Sequence, residues 1–470
     1  MTNTRRLFQP TNQYITLRKE ERTVISRIRK SSLTSALAAV IVIGAFGATA
    51  ANAEDTQFVP LPTYRVGPYA SSGAPWFAGE LDYFKYINEV EGGVNGVKLD
   101  VQEFETEYSP DRAVEVYERV KDGVNGSSPM AFFITHSTPA TYALGPRARQ
   151  DKIPLIDPAG GRPESLNGLV FEYEFPLLFT YYSQGSVAIN YIAQQMGGFE
   201  NLKGKKIVTV YHDSGYGRSS QPVMTVLAAK YGFEDIQIPV AHPGSEQSAI
   251  WRQVRGIQPD FVVLRTWGVG TPVAIKTAKR FGIDISKMIG DVWASSETDL
   301  IPAEDAAVGY CGLAPYPAGT DFVIHKRLQE KILDTGMSDL QDKSTFGTVY
   351  YNIGMVNAAL SVEGMRTAMQ KFGNRPLTGD EMRWGLENMK IDGKRLEEMG
   401  MTGLLQELHV SAADHEGGGA ARIQCWDGKK FNLVTDWIAG DAEVIKPLVA
   451  EVSAKFAAEN GITPRDLSSE

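Results

Sequence analysis

Hydrophobic positions along this chain follow two rhythms that alternate. Val97, Leu99 and Val101 are spaced by polar neighbours, the period-two pattern of a half-buried strand. Apolar runs at 130–134, 153–156, 206–211, 236–240, 261–265 and 288–289 have the length of buried strands, and a first short strand ends at Val66-Gly67-Pro68. Between these runs the period changes to that of a helix. Phe77, Leu81, Phe84 and Ile87 share one face of a helix predicted over 76–90, which Gly92-Gly93 stops. Ser109-Pro110-Asp111 opens another, with an N-cap, a proline in the first turn and an acid behind it; Val114, Tyr117 and Val120 are its apolar stripe and Gly123 closes it. Further helices are predicted from Ala140 onward and over 222–231, 248–255 and 271–281. A long one covers 346–370, with Val349, Val356 and Leu360 on its apolar side, and a terminal one covers 442–460. A hairpin over 420–436 turns at Asp427-Gly428.

Strand and helix alternating at this spacing mean parallel sheets with right-handed crossovers, an α/β fold. The alternation runs through 56–178 and again through 179–312, which predicts two lobes. Within the first block, 130–161 draws the eye to function. Two neighbouring strands end there in small, polar or glycine residues, Thr135-His136-Ser137-Thr138-Pro139 and Asp157-Pro158-Ala159-Gly160-Gly161. A ligand of an open α/β sheet sits beyond the carboxyl ends of its strands. Hydroxyls and free N–H groups at a helix start suit a carboxylate or phosphate. The plainer reading of the same residues is a β-to-α turn with Ser or Thr as N-cap.

Composition narrows the classes. The chain has 470 residues, 43% hydrophobic and 22% charged, which supports a full core. Its net charge is −9, yet the first 53 residues hold eight basic and two acidic side chains, so the rest stands at −15. A body that acidic is a poor partner for nucleic acid. The basic segment reads as a targeting signal. Arg27, Arg29 and Lys30 flank an apolar stretch at 33–50, and Ala51-Asn52-Ala53 is an A-x-A cleavage site, so the signal is 1–53 and the mature protein starts at Glu54. A start at Val24 would give that signal its ordinary length; Thr4-Arg5-Arg6-Leu7-Phe8 looks like a twin-arginine motif but lies far upstream of the apolar core. The alternative is an uncleaved anchor helix at 33–50. Cys311 and Cys425 are the only cysteines. After export a disulfide between them is allowed, and sequence leaves open whether they meet.

Several stretches together resemble the periplasmic substrate-binding component of branched-chain amino acid type ABC importers, the leucine/isoleucine/valine-binding class. Val66-Gly67-Pro68 before a small-residue loop is one; the turn at 87–96, INEVEGGVNG, and the helix SPDRAVEVYERV at 109–120 are others. IPLIDP at 153–158, 211–217 and 260–264 also fit, and the resemblance covers about 60 to 436. It implies a type I periplasmic binding protein fold: two doubly wound parallel-sheet lobes joined by a three-strand hinge, closing on a ligand. The lobes would be 56–178 plus 313–405 and 179–312 plus 406–470. Carried over by position, Ser137 or Thr138 is where the family places a carboxylate-binding hydroxyl. Tyr216 matches the tyrosine of its Tyr-Gly pair, Trp267 lies where a second-lobe side chain lines the pocket, and Trp76 or Phe77 where an N-terminal aromatic does. The family's second hydroxyl falls near Gly160-Gly161, where backbone N–H groups or the nearby Arg162 would have to serve. The acid that pairs with a substrate ammonium has no clean match; Asp291 is the nearest, and as a loop acid it could equally be a solvated turn residue. Pockets of this kind are mainly apolar, so Trp76, Tyr216, Trp267 and Phe346 are read as cleft aromatics, with core packing the plain alternative for each.

These readings lead to a monomeric periplasmic solute-binding protein for a small carboxylate-bearing solute, a branched-chain or related amino acid or an aromatic or aliphatic acid. Its partners would be the permease and ATPase subunits of an importer in the inner membrane, and it needs no cofactor and no metal. A sensor of the same fold and a binder of a neutral amide or urea-like solute stay open beside it. An enzyme does not fit. His136-Ser137 and His212-Asp213-Ser214 are sequence neighbours, which rarely converge as a triad. There is no G-x-S-x-G elbow, no H-E-x-x-H and no phosphate loop, and Asp414-His415-Glu416 reads as a loop before three glycines.

Overall fold

Two parallel sheets with the same strand order organise the residues that the computed structural model describes, 56–469. In the first, β1 (Gln57–Thr63) pairs along its whole length with β2 (Leu99–Glu105), helix α1 (Ala70–Glu89) connecting them. Helix α2 (Pro110–Val120) leads to β3 (Phe133–Ile134), and α3 (Thr138–Asp151) to β4 (Leu155–Ile156) and β5 (Glu174–Phe175), which continue in parallel. Because β1 packs beside β3, the spatial order is 2-1-3-4-5. After α4 (Tyr181–Met196) the pattern repeats. Strand β6 (Lys206–His212) precedes the short helix α5 (Gly215–Arg218) and α6 (Gln221–Tyr231), then come β7 (Glu234–Val240), α7 (Ser248–Ile257), β8 (Phe261–Arg265) and α8 (Gly270–Arg280). Strand β9 (Met288–Gly290), α9 (Glu297–Leu300) and β10 (Cys311–Ala314) complete a parallel run in the order 7-6-8-9-10.

The chain then returns to the first sheet, adding α10 (Val323–Leu328), α11 (Val349–Phe372), α12 (Gly379–Glu387), the short pair β11 (Lys390–Ile391) and β12 (Leu408–His409), and α13 (Gly393–Met399) between them. It passes back to the second sheet as β13 (Ala420–Trp426), antiparallel to β10, followed by β14 (Phe431–Leu433), β15 (Ile438–Ala439) and α14 (Ala442–Asn460). The crossing segments are tied to one another: Leu178 N–H donates to the Glu416 carbonyl at 2.7 Å and Gly419 N–H to the Leu178 carbonyl at 2.8 Å. The architecture is the type I periplasmic-binding arrangement that the sequence resemblance implies, two α/β lobes linked by three crossings. Cys311 and Cys425 stand opposite each other on β10 and β13, Cα atoms 4.1 Å apart, and form a disulfide. The predicted signal at 1–53 lies outside the described residues. No described helix is long and apolar enough to cross a membrane.

Element boundaries move where sequence chemistry is ambiguous. The first strand ends at Thr63 rather than at Val66, which is exposed. Helix α1 starts at Ala70, six residues before its periodic part, because the small residues 70–75 carry no hydrophobic period. On α2 the buried positions are Ala113, Val116, Tyr117 and Val120, so Val114 sits at the edge of the stripe. Helix α11 is buried nearly all round because it packs lengthwise against α1. The two helices cross at glycines: a methyl on Gly79 would run into the Tyr351 carbonyl, and one on Gly354 into the Trp76 carbonyl. Gly354→Ala is therefore expected to cost about 1–3 kcal/mol through overpacking and to displace Trp76; a lower thermal midpoint together with weaker solute binding is the readout.

Candidate functional site

Both sheets have their topological switch point at the same place, between β1 and β3 and between β6 and β8. The loops leaving those strands face one another across a narrow cavity of about 20 Å³. Its wall is Trp76, Tyr108, His136, Ser137 and Thr138 with Asp157 from the first sheet, and Tyr216, Trp267 and Trp293 from the second. Ser137 caps α3, its hydroxyl accepting Ala140 N–H at 3.4 Å, so the hydroxyls sit at the start of a helix. His136 just before it takes a left-handed φ of 49°, and Ala159 after β4 one of 58°. Non-glycine residues in that region are uncommon. His136 is held there: its Nδ1 is 2.9 Å from the Pro62 carbonyl and its Nε2 2.9 Å from Glu80.

The indole rings build a box. Trp76 stacks on Trp293 at 5.0 Å and 7°, so a helix of the first sheet meets a loop of the second face to face. Trp267 stands edge-on to both, at 6.2 and 5.6 Å, and stacks against Tyr69 at 5.8 Å. The indole Nε1 groups of Trp76 and Trp267 are buried and have no acceptor in the protein. Buried donors are ordinarily satisfied, so these two point to a ligand that brings oxygen. The third indole is committed within the protein. Trp293 Nε1 donates to the Tyr181 hydroxyl at 3.0 Å, and that hydroxyl shares a 2.8 Å hydrogen bond with Thr138.

Beneath the second-sheet wall lies a buried ion pair. The Arg265 guanidinium packs against the rings of Tyr181 and Tyr216, 4.8 and 5.2 Å from their centres, and stands 3.7 Å from Asp291. Asp291 accepts the Tyr216 hydroxyl at 2.7 Å and Trp293 N–H at 3.2 Å. Burial pushes its carboxyl up to about 6, against the pull of Arg265 and Tyr216. Burial likewise raises Asp157 to about 6, although Thr141 donates to it at 2.8 Å.

Of the residues expected from sequence, Trp76, Ser137, Thr138, Tyr216 and Trp267 come together at the cavity. The others stand elsewhere. Phe77 is fully buried behind Trp76, packed edge-on to Tyr64 at 4.8 Å. Phe346 packs on His325 and Tyr351, away from the wall. Asp291 lies under the wall, turned toward Arg265. The N–H groups expected to meet a carboxylate at Gly160-Gly161 are used within their own turn: Gly160 N–H donates to the Asp157 carbonyl at 3.0 Å and Gly161 N–H to the Asp157 side chain. A side chain at Gly160 would meet that carboxylate at 2.5 Å, so the glycine makes room for Asp157. Arg162 turns to Glu174 and Glu164, at 3.2 and 3.4 Å. Tyr108 and Trp293 are wall residues that the sequence reading passed over, and His136 and Asp157 are ones it placed at the strand ends without assigning them to the ligand. Each follows a strand or adjoins a residue already singled out, which is the signal that could have found them. Among the described residues no group of three His, Cys, Asp or Glu side chains converges to hold a metal.

Comparisons agree with this architecture. The family description "periplasmic binding protein" matches residues 56–430. A crystal structure from the Pseudomonas fluorescens group, described as an ABC transporter permease, is 57% identical; the match covers 88% of this chain and all of that one, with a TM-score of 0.83. A branched-chain amino acid ABC transporter structure from Thermus thermophilus with bound valine is 22% identical over 84% of this chain and 99% of its own, with a TM-score of 0.69. A solute-binding protein of an ABC transporter from R. palustris in complex with benzoate is 17% identical over 82% of this chain and 98% of its own, at 0.63. No curated protein matches the chain.

Proposed function

We propose, for a chain that belongs to the periplasmic binding protein family, the work of an ABC-importer solute-binding protein that acts in the periplasm and passes one small carboxylate-bearing solute to membrane permease and ATPase subunits. It binds without turning the solute over. The lobes are 56–178 plus 313–405 and 179–312 plus 406–470, closing on each other about the three crossings. The observation that carries the reading is the pair of buried, acceptor-less indole N–H groups of Trp76 and Trp267 in one cavity with Ser137 and Thr138. Carboxylate oxygens would satisfy them, and the flat indole faces suit a hydrocarbon or aromatic remainder. Valine and benzoate, the ligands of two proteins of this fold, have that shape.

A second reading, a neutral amide or urea-like solute, is favoured by one feature: the wall contains Asp157 and no lysine or arginine. Affinity against pH separates the two. Asp157 changes charge near pH 6, being neutral below and anionic above. Two like charges some 6 Å apart repel by about 2–3 kcal/mol at an effective dielectric near 20. An anionic solute should therefore bind at least about tenfold more weakly at pH 8 than at pH 5, whereas a neutral amide should show no such trend. A thermal-shift panel of amino acids, aromatic acids, short aliphatic acids and amides at both pH values tests this. A saturating ligand at about a hundred times its dissociation constant adds about 2.7 kcal/mol of stability. Shifts from amides alone, flat in pH, would replace the carboxylate reading with the neutral one.

A further inference from the structure

Outside the cavity wall, two of the chain's six histidines converge on one tyrosine. Tyr69 stands at the start of α1, on the first-sheet side. His212 is the last residue of β6, and His242 lies in the loop after β7, both on the second-sheet side. The Tyr69 hydroxyl is 3.1 Å from His212 Nε2 and 2.5 Å from His242 Nδ1, and the two ring nitrogens are 3.1 Å apart. Three atoms of metal-ligand type thus form one small triangle. Ligands held about 2.0–2.2 Å from a common ion stand about 2.8–3.1 Å apart at right angles and about 3.3–3.6 Å apart in a tetrahedron, so the two 3.1 Å edges match and the 2.5 Å edge opens when an ion enters.

Hydrogen bonding accounts for only part of this triangle. An imidazole nitrogen offers one in-plane hydrogen or one lone pair, and a phenol one proton. The hydroxyl can donate to one imidazole and accept from the other, which leaves the approach of the two histidines to each other unexplained. A cation at the centre would use all three atoms at once. His212 is also oriented as a ligating imidazole is: its other nitrogen, Nδ1, is hydrogen-bonded at 2.9 Å to Ser214 Oγ, which fixes the ring with Nε2 toward the cluster. Tyr69 and His212 are buried, while His242 is exposed, so an ion has a path in and water can fill the remaining positions.

We propose that Tyr69, His212 and His242 form a site for a divalent first-row transition metal, Zn²⁺ or Cu²⁺, that fastens the two lobes beside the solute cavity. Imidazole nitrogen suits those ions, and a set without carboxylates does not suit Mg²⁺ or Ca²⁺. On binding, the phenol proton passes to water and the phenolate oxygen ligates. Because the ligands come from both lobes, the ion favours the closed arrangement, and by reciprocity ion and solute strengthen each other's binding.

Calorimetric titration of untagged, chelator-stripped protein with Zn²⁺ or with Cu²⁺ tests the site. One ion per chain is expected, with affinity reduced at least tenfold in His242→Ala, a change at an exposed loop, and in Tyr69→Phe, which keeps the ring stack on Trp267. The Cu²⁺ adduct of the unaltered protein should show a phenolate-to-copper charge-transfer band that Tyr69→Phe lacks. Absence of stoichiometric binding by both ions, or binding that survives both substitutions unchanged, overturns the assignment.

Discussion

Alanine at Trp267 is expected to weaken solute binding about thirtyfold or more. The ring leaves the end of β8 and crosses the gap between the sheets. It meets Tyr64, Tyr69, Trp76 and Tyr108 on the far side, Trp293 on its own, and Tyr350 of α11. Removing it takes away one wall of the box, one of the two acceptor-less N–H donors, and most of the aromatic contact by which the second lobe reaches the first. Central aromatic anchors of this kind contribute 2 kcal/mol or more to binding, and 2 kcal/mol is a factor of about thirty. A ligand favours closure only through contacts it gains in the closed state, so the variant should also scatter as the more open form at saturating solute. Trp→Ala costs about 3–5 kcal/mol of fold stability in a core, so affinity must be read where far-UV circular dichroism shows the variant folded. Trp267→Phe, which keeps an aromatic ring, though a smaller one, and loses the N–H, helps separate the wall from the donor.

Asp291→Ala should cost about 3–5 kcal/mol of stability, the cost of breaking a buried ion pair from one side. Arg265 is 1% exposed and its Nε has no hydrogen-bond acceptor; among the described residues Asp291 is the carboxylate that pairs with it. The substitution also takes the acceptor from Trp293 N–H and leaves the Tyr216 hydroxyl with only the Thr266 carbonyl at 3.2 Å, which loosens two residues of the cavity wall. Denaturant midpoints read the loss. The compensating pair Asp291→Leu with Arg265→Met should recover much of it, since an apolar pair of similar volume often replaces a buried ion pair at little cost. A double change as unstable as the single one would show that packing, not charge, is what Asp291 provides.

The alternation of strands and helices was legible because each element carries its own period, and β8 and α14 agree with the pattern almost to the residue. About half of the candidate cavity wall was legible too. Ser137, Thr138, Tyr216 and Trp267 follow strands of a parallel sheet, where function concentrates whatever the ligand. What could not be read is direction. The glycines after β4 suggested free N–H groups, yet Asp157 folds back onto them and fills that role itself. Asp291 offered a carboxylate at a strand end, and only the structure shows it turned down to Arg265. The disulfide depends on β13 returning antiparallel to β10 across 114 residues, a long-range pairing with no local signature.

The hydroxyls at the start of α3 give the cavity assignment its most direct test. For whichever acid gives the largest thermal shift, calorimetric affinity should be measured for the unaltered protein and for the double substitution Ser137→Ala with Thr138→Val. Hydrogen bonds to a charged group contribute about 1.5–3 kcal/mol, so the account predicts a loss of at least about tenfold. An affinity within about twofold of the unaltered protein would contradict it and place the solute elsewhere in the chain.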